Sequence, residues 1–96
     1  MNLPTTGVEV VPERPLKYKR IGNQISVIGS VRNVKNVQVF ATLTSGFRPV
    51  QNIAFTVLAY GNDPAICEVT IQSGGGLFVN GVQSGQTVHI VADFML

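Results

Sequence analysis

The side chains that could carry out catalysis are few, with one histidine, one cysteine and five carboxylates among 96 residues. His89 and Asp93 fall on the same face of a predicted strand. Four residues at ~3.3 Å each separate them by about 13 Å, which is too far for a hydrogen bond. Cys67 shares its face with Val69 and Ile71, as expected of a small core residue. We therefore expect that the protein is not an enzyme.

Motifs that bind metals or phosphates are equally sparse. The single cysteine excludes a Cys-rich zinc site, and any other metal site would need His89 to meet carboxylates from different strands. The run Gly74-Gly75-Gly76 lacks the Lys-Ser/Thr of a phosphate-binding loop, so we interpret it as a hairpin turn. We expect no cofactor and no metal.

The composition favours strands as the elements that position these side chains. Val, Ile and Thr number 29, against 17 for Ala, Leu, Glu and Lys, and β-branched side chains suit a pleated surface. Gly22-Asn23 is a two-residue hairpin signal. The fold class predicted is all-β, a small antiparallel β-sandwich or jelly-roll-like barrel of about seven strands. Alternation and turn residues place the strands at 16–21, 24–31, 37–43, 50–59, 66–72, 76–80 and 86–95.

The chain divides into a proline-containing arm and one domain. Residues 1–15 contain three of the five prolines and no helical period, so we expect an extended N-terminal arm or linker. Residues 16–96 form the β-domain.

Hydropathy suggests that the domain buries a second surface. Its mean hydropathy is +0.28, high for a small domain that must expose much of its surface. The predicted strand 50–59 is apolar on both faces, as in a strand covered by the core and by a neighbouring subunit. We expect a homo-oligomer, with a solitary sandwich as the alternative. No apolar run approaches the ~20 residues of a membrane span, so no membrane association is expected.

The charge distribution argues against nucleic acid as a partner. Residues 1–48 carry seven basic and two acidic side chains, a net charge of +5, whereas residues 49–96 carry −3. No aromatic platform accompanies the basic residues, as stacking on bases would require. A solvated strand edge protected by lysines explains them better.

Two stretches of sequence resemble a known family. One is the run from Gln24 to Val31, ending in Gly-Ser-Val, with Ala41-Thr42-Leu43 and Gly46-Phe47-Arg48-Pro49 after it; the other spans residues 68–81. Both resemble the head domains of receptor-binding proteins at the tail tips of siphophages that infect Gram-positive bacteria, the lactococcal type in particular. This resemblance implies a homotrimer in the virion tail tip or baseplate. Its N-terminal side would attach to other tail proteins, and its heads would bind a host cell-wall saccharide non-catalytically.

The sequence also departs from that family. Glu68 and Thr70 stand where the lactococcal heads carry a His-x-Asp pair, and Val79 and Asn80 stand where they carry Trp; the chain has no Trp at all. A structural tail or baseplate trimerisation module without its own sugar site is therefore the alternative function. A nucleic-acid-binding small barrel and an enzyme are weaker alternatives.

Seven polar or aromatic residues are candidates for ligand contact, each with a simpler structural alternative. A turn arginine can brace its own loop, a polar loop can be a plain turn, and polar strand residues can face solvent. The candidates are Arg48, Tyr60, Asn62, Asp63, Glu68, Thr70 and His89.

Overall fold

The computed structural model describes residues 1–83 and 85–96, and its regular elements are all strands. Eight antiparallel strands form one sheet that curls into a half-barrel. The predicted all-β class is confirmed. The strands are β1 (Glu9–Val10), β2 (Lys17–Ile21), β3 (Gln24–Arg32), β4 (Ala41–Thr42), β5 (Ile53–Tyr60), β6 (Pro64–Ile71), β7 (Gly76–Asn80) and β8 (Thr87–Met95).

The strand order is β1-β3-β8-β5-β6-β7-β4, with β2 also paired to β3. The β2–β3 hairpin turns at Gly22-Asn23, with Ile21 opposite Gln24 and Gly22 at a φ of +60°, as the sequence predicted. The longest pairing joins β3 to β8 over nine residues of each strand. This pairing brings two distant parts of the chain into register with each other.

Alternation along the strands separates a core face from an outer face. In β8, the side chains of Val88, Ile90, Ala92 and Phe94 are buried, while those of the intervening residues point outward. The inner faces of β2 to β7 supply most of the remaining core. Residues outside the strands complete it: Leu3, Leu16, Phe40, Leu43 and Val82.

The predicted strand 37–43 is regular only at Ala41–Thr42. Val37 adopts a φ of 60° and Asn33 a φ of 57°, a left-handed conformation that interrupts an extended strand. The segment still follows β7, because Val37 N donates to Val79 O at 2.8 Å and Phe40 N donates to Leu77 O at 3.0 Å. The positive φ at Val37 thus limits the regular pairing to two residues.

Residues 1–15, the expected arm, lie along the sheet. Leu3 is buried and donates its N–H to Leu16 O at 2.8 Å, and Thr5 forms a bridge with Ala41. The segment also supplies β1, which pairs Val10 with Val31. The boundary between an arm and a domain at residue 15 stays a prediction.

Candidate functional site

A cleft lies at the end of the sheet where β5 ends and β8 begins. Tyr60 pairs with Pro64 in β6 and with Thr87 in β8, which fixes both strand ends at its edge. The connecting turn carries Asn62 and Asp63, and its Gly61 N donates to Asp63 O at 3.5 Å. The cleft has a volume of about 660 Å³, and its walls include Tyr60, Asn62, Asp63, Gln83, Gln86 and Thr87.

Amide side chains from the β7–β8 loop form the opposite wall of this cleft. Gln83 N donates to Gln86 Oε1 at 2.8 Å, and Gln86 N donates to Gln83 O at 3.2 Å. Two hydrogen bonds thus join Gln83 and Gln86 to each other. Across from it, the Tyr60 side chain is 48% exposed. The cleft therefore combines one aromatic ring, one carboxylate and several amides, groups that can pack on and hydrogen-bond a polyhydroxylated ligand. We call it the Tyr60 cleft.

His89 lies in a second cleft, on the outer face between β3 and β8. Its Nδ1 is 2.8 Å from Ser30 Oγ and 3.3 Å from Arg14 Nη1. Because a guanidinium can only donate, a hydrogen bond from Arg14 requires Nδ1 to accept, which leaves a ring proton on Nε2. Asp93 lies opposite Ser26, four residues further along the strand. The register confirms the expectation that His89 and Asp93 lie too far apart along the strand for a hydrogen bond.

Sequence reasoning missed two partners of His89. Ser30 sits within a run of apolar residues, and Arg14 belongs to the expected arm. Their approach depends on the β3–β8 register and on the bond from Ser30 N to Arg14 O at 3.0 Å. Ser30 could have been identified from the sequence, because it is a polar residue that interrupts an apolar run. No sequence signal pointed to Arg14.

The remaining candidates lie apart from both clefts. Arg48 Nε donates to Leu43 O at 2.8 Å, so this side chain braces its own loop. Glu68 and Thr70 lie on the outer face of β6, where Glu68 pairs with Thr56 on one side. Of the seven candidates, the structure brings Tyr60, Asn62 and Asp63 together and separates the other four from them.

The single cysteine lies outside both clefts, and the described residues that could bind a metal do not cluster. Cys67 is buried in the core, as expected, and burial raises the pKa of its thiol above the ordinary 9.0. Residues 1–83 and 85–96 contain no group of three or more His, Cys, Asp or Glu side chains able to hold a metal ion. In the same residues, no helix is long and apolar enough to cross a membrane.

Comparison with solved structures finds a neighbour over the whole chain. It is the crystal structure of the head domain of phage bIL170, from work asking whether the receptor-binding domains of lactococcal phages share a common fold. The TM-score is 0.65, the sequence identity is 18%, and the match covers 99% of each chain. This chain has the fold of a lactococcal phage head domain. No protein-family model matches the sequence, and no curated protein is significantly similar to it.

The head-domain fold confirms the resemblance detected in the sequence at the level of architecture. At 18% identity the match carries the fold and not the side chains of a site. Candidate ligand contacts in this chain are therefore sought in its own clefts.

Proposed function

We propose that this protein is the receptor-binding head domain of a phage tail, and that it binds a host cell-wall saccharide without chemical reaction. The Tyr60 cleft is the observation that carries the proposal, since it combines an exposed aromatic ring with amides and a carboxylate. The fold shared with the head of phage bIL170 supports the same function.

The chemistry of the Tyr60 cleft suits a sugar ring. The C–H face of a pyranose can pack on the Tyr60 ring, which offers a large apolar contact at the cleft edge. The Asp63 carboxylate can accept hydrogen bonds from neighbouring hydroxyls, while the side chain of Asn62 both donates and accepts. Such contacts bind and orient a sugar without breaking a bond.

The position of the N-terminus is compatible with attachment to other tail proteins in the virion. Met1 N donates to Tyr18 O at 3.1 Å, and Tyr18 pairs with Val27, which pairs with Ala92. Thr87, at the cleft, is five residues further along β8, about 16 Å at ~3.3 Å per residue. A homotrimer attached from the N-terminal side would leave the Tyr60 cleft free for a receptor.

Adsorption of the purified protein to host cells tests this function. Tyr60→Ala should weaken binding about tenfold or more, because truncation of an aromatic anchor typically costs about 2 kcal/mol. Asp63→Asn should weaken binding as well, since the amide replaces one acceptor by a donor. Thr56→Ala, an exposed change on the outer face of β5, serves as the matched control. Equal adsorption by Tyr60→Ala and the control would contradict the proposed site.

Glu68→Ala tests whether the sugar binds on β6 instead. Glu68 stands at one of the two positions where the lactococcal heads carry their His-x-Asp pair. With Glu68 outside the Tyr60 cleft, we expect adsorption to stay within twofold of the unmodified protein. A complete loss would move the sugar site to the outer face of β6.

A structural tail module without a sugar site is the second candidate. The exposed apolar pair Leu58 and Ile66, directly opposite each other on β5 and β6, favours it because such pairs mark protein interfaces. A protein that forms oligomers but neither adsorbs to cells nor binds any sugar on a glycan array would support this candidate.

A further inference from the structure

The N-terminal segment crosses over β3 at Gly29 and builds the second cleft. A Cβ at Gly29 would lie 2.5 Å from Leu16 Cα and 2.8 Å from Pro15 O, so the two backbones are in direct contact. The crossing holds Arg14 above the sheet beside His89. It leaves a cleft of about 420 Å³, which we call the Arg14 cleft.

The Arg14 cleft concentrates hydrogen-bond donors that, among the residues described, form no ion pair with a carboxylate. Arg14, Lys17 and His89 all line it, and one Arg14 N–H is used by His89 Nδ1. The only ion pair in the described part of the chain joins Arg32 to Glu9 at 3.4 Å, so neither Arg14 nor Lys17 has a carboxylate within 4.0 Å there. Arg14 retains free N–H groups, and His89 presents Nε2–H.

The opposite wall of the Arg14 cleft is apolar. Ile28 and Val91 are directly opposite each other on β3 and β8, and both are more than half exposed although they line the cleft. An occupant would therefore place a charged group near Arg14 and an organic substituent against these two side chains.

We infer that the Arg14 cleft binds a phosphate ester. A guanidinium, an ammonium and an imidazole N–H supply donors from three separate side chains, which suits a tetrahedral group with several acceptor oxygens better than a planar carboxylate. The apolar wall favours an ester over inorganic phosphate, because only the ester carries carbon to cover Ile28 and Val91. This inference does not rest on the saccharide site, since the two clefts share no lining residue.

Glu13 is the one acidic residue that lines this cleft. The Glu13 side chain is exposed, and its negative charge repels a bound anion. Its removal should therefore strengthen binding, which separates a specific site from a general loss of structure.

Titration of the isotope-labelled full chain with dimethyl phosphate, followed by ¹H–¹⁵N spectra, tests the inference. We expect saturable shifts at the His89 imidazole and at the Arg14 guanidinium. Arg14→Gln should weaken the affinity about tenfold, as expected for the loss of a charge-assisted hydrogen bond. Lys17→Gln should weaken it less, and Glu13→Gln should tighten it. Lys19→Gln, an exposed change on β2 outside the cleft, is the matched control.

Several outcomes would overturn the inference. Shifts that are absent at His89, or that are lost equally in Lys19→Gln and Arg14→Gln, would show that no specific site exists. Binding of inorganic phosphate that is tighter than that of dimethyl phosphate would refute the ester assignment. If Arg14→Gln unfolds, the other two variants still test the site. The affinity for dimethyl phosphate should fall in Lys17→Gln and rise in Glu13→Gln. Loss of cell adsorption in Tyr60→Ala with unchanged phosphate binding would keep the two proposals separate.

Discussion

Gly29 is the residue that lets the N-terminal segment cross the sheet in contact with β3. We expect Gly29→Ala to lower the free energy of unfolding by about 3 kcal/mol, at the upper end of the cost of overpacking, because the added Cβ meets backbone atoms of Pro15 and Leu16. Urea denaturation measures the change.

Gly22→Ala is the matched control for this substitution. Both glycines have a positive φ, +156° at Gly29 and +60° at Gly22, but no atom lies within 4 Å of a Cβ built at Gly22. Its substitution should cost only the backbone strain of about 1 kcal/mol. Equal destabilisation by the two substitutions would mean that the contact between Gly29 and the crossing segment has no energetic weight.

For individual residues, the sequence predicted which side chains are buried better than it predicted which residues contact each other. Alternation placed Cys67 in the core, and turn chemistry placed Asn62 and Asp63 together beside Tyr60. The contact between Arg14 and His89 could not be predicted from the sequence, because 75 positions separate the two residues. Their meeting depends on a crossing and a strand register that no local pattern specifies.

Asn36 joins the two loops that follow β3 and β7. Its Nδ2 donates to Val82 O at 2.9 Å, and its Oδ1 accepts from Val82 N at 2.9 Å, so one side chain satisfies both backbone groups of a buried residue. Asn36→Ala should lower the free energy of unfolding by about 1 kcal/mol or more, because it leaves a part-buried donor and acceptor without their partner. Thermal unfolding gives the stability.

Amide hydrogen exchange at Val82 gives a local readout of the same substitution. Protection of this amide should fall in Asn36→Ala by more than the global change in stability, since its acceptor is removed. Asn80→Ala, at the exposed end of β7, is the control, with an expected effect within about 0.5 kcal/mol. Unchanged protection of the Val82 amide in Asn36→Ala would show that Asn36 does not hold the β7–β8 loop.

Strands along which apolar and polar residues alternate regularly were predictable from the sequence, whereas irregular strands were not. β3 and β8 were found nearly at their true bounds because apolar and polar residues alternate along them. The predicted strand 37–43 was too long because the positive φ of Val37 has no signature in a β-branched residue. β1 was missed because the prolines around it indicated an arm. The neighbours of each strand also went unpredicted, since β3 pairs with β8 across most of the chain.

Part of the excess of apolar residues in the composition lies on the outer face of the sheet, where several large apolar side chains are exposed. Ile28 and Val91 form the wall of the Arg14 cleft, whereas Leu58 and Ile66 lie on the outer face of the β5–β6 hairpin outside both clefts. These two side chains are 42% and 75% exposed. This adjacent exposed pair is our candidate for a contact between subunits.

We therefore predict that the chain forms trimers through this hairpin. Light scattering should give a mass near three times 10.3 kDa at high concentration, and Ile66→Asp should yield monomers because a charge buried in an apolar interface lacks a partner. The mutated side chain is exposed in the single chain, so its fold and circular dichroism should be unchanged. Val50→Asp is the matched control, since Val50 is 80% exposed in the β4–β5 loop and its substitution should leave the mass unaltered. A monomeric unmodified protein at every concentration would contradict the trimer, and trimers of Ile66→Asp would place the interface on another face.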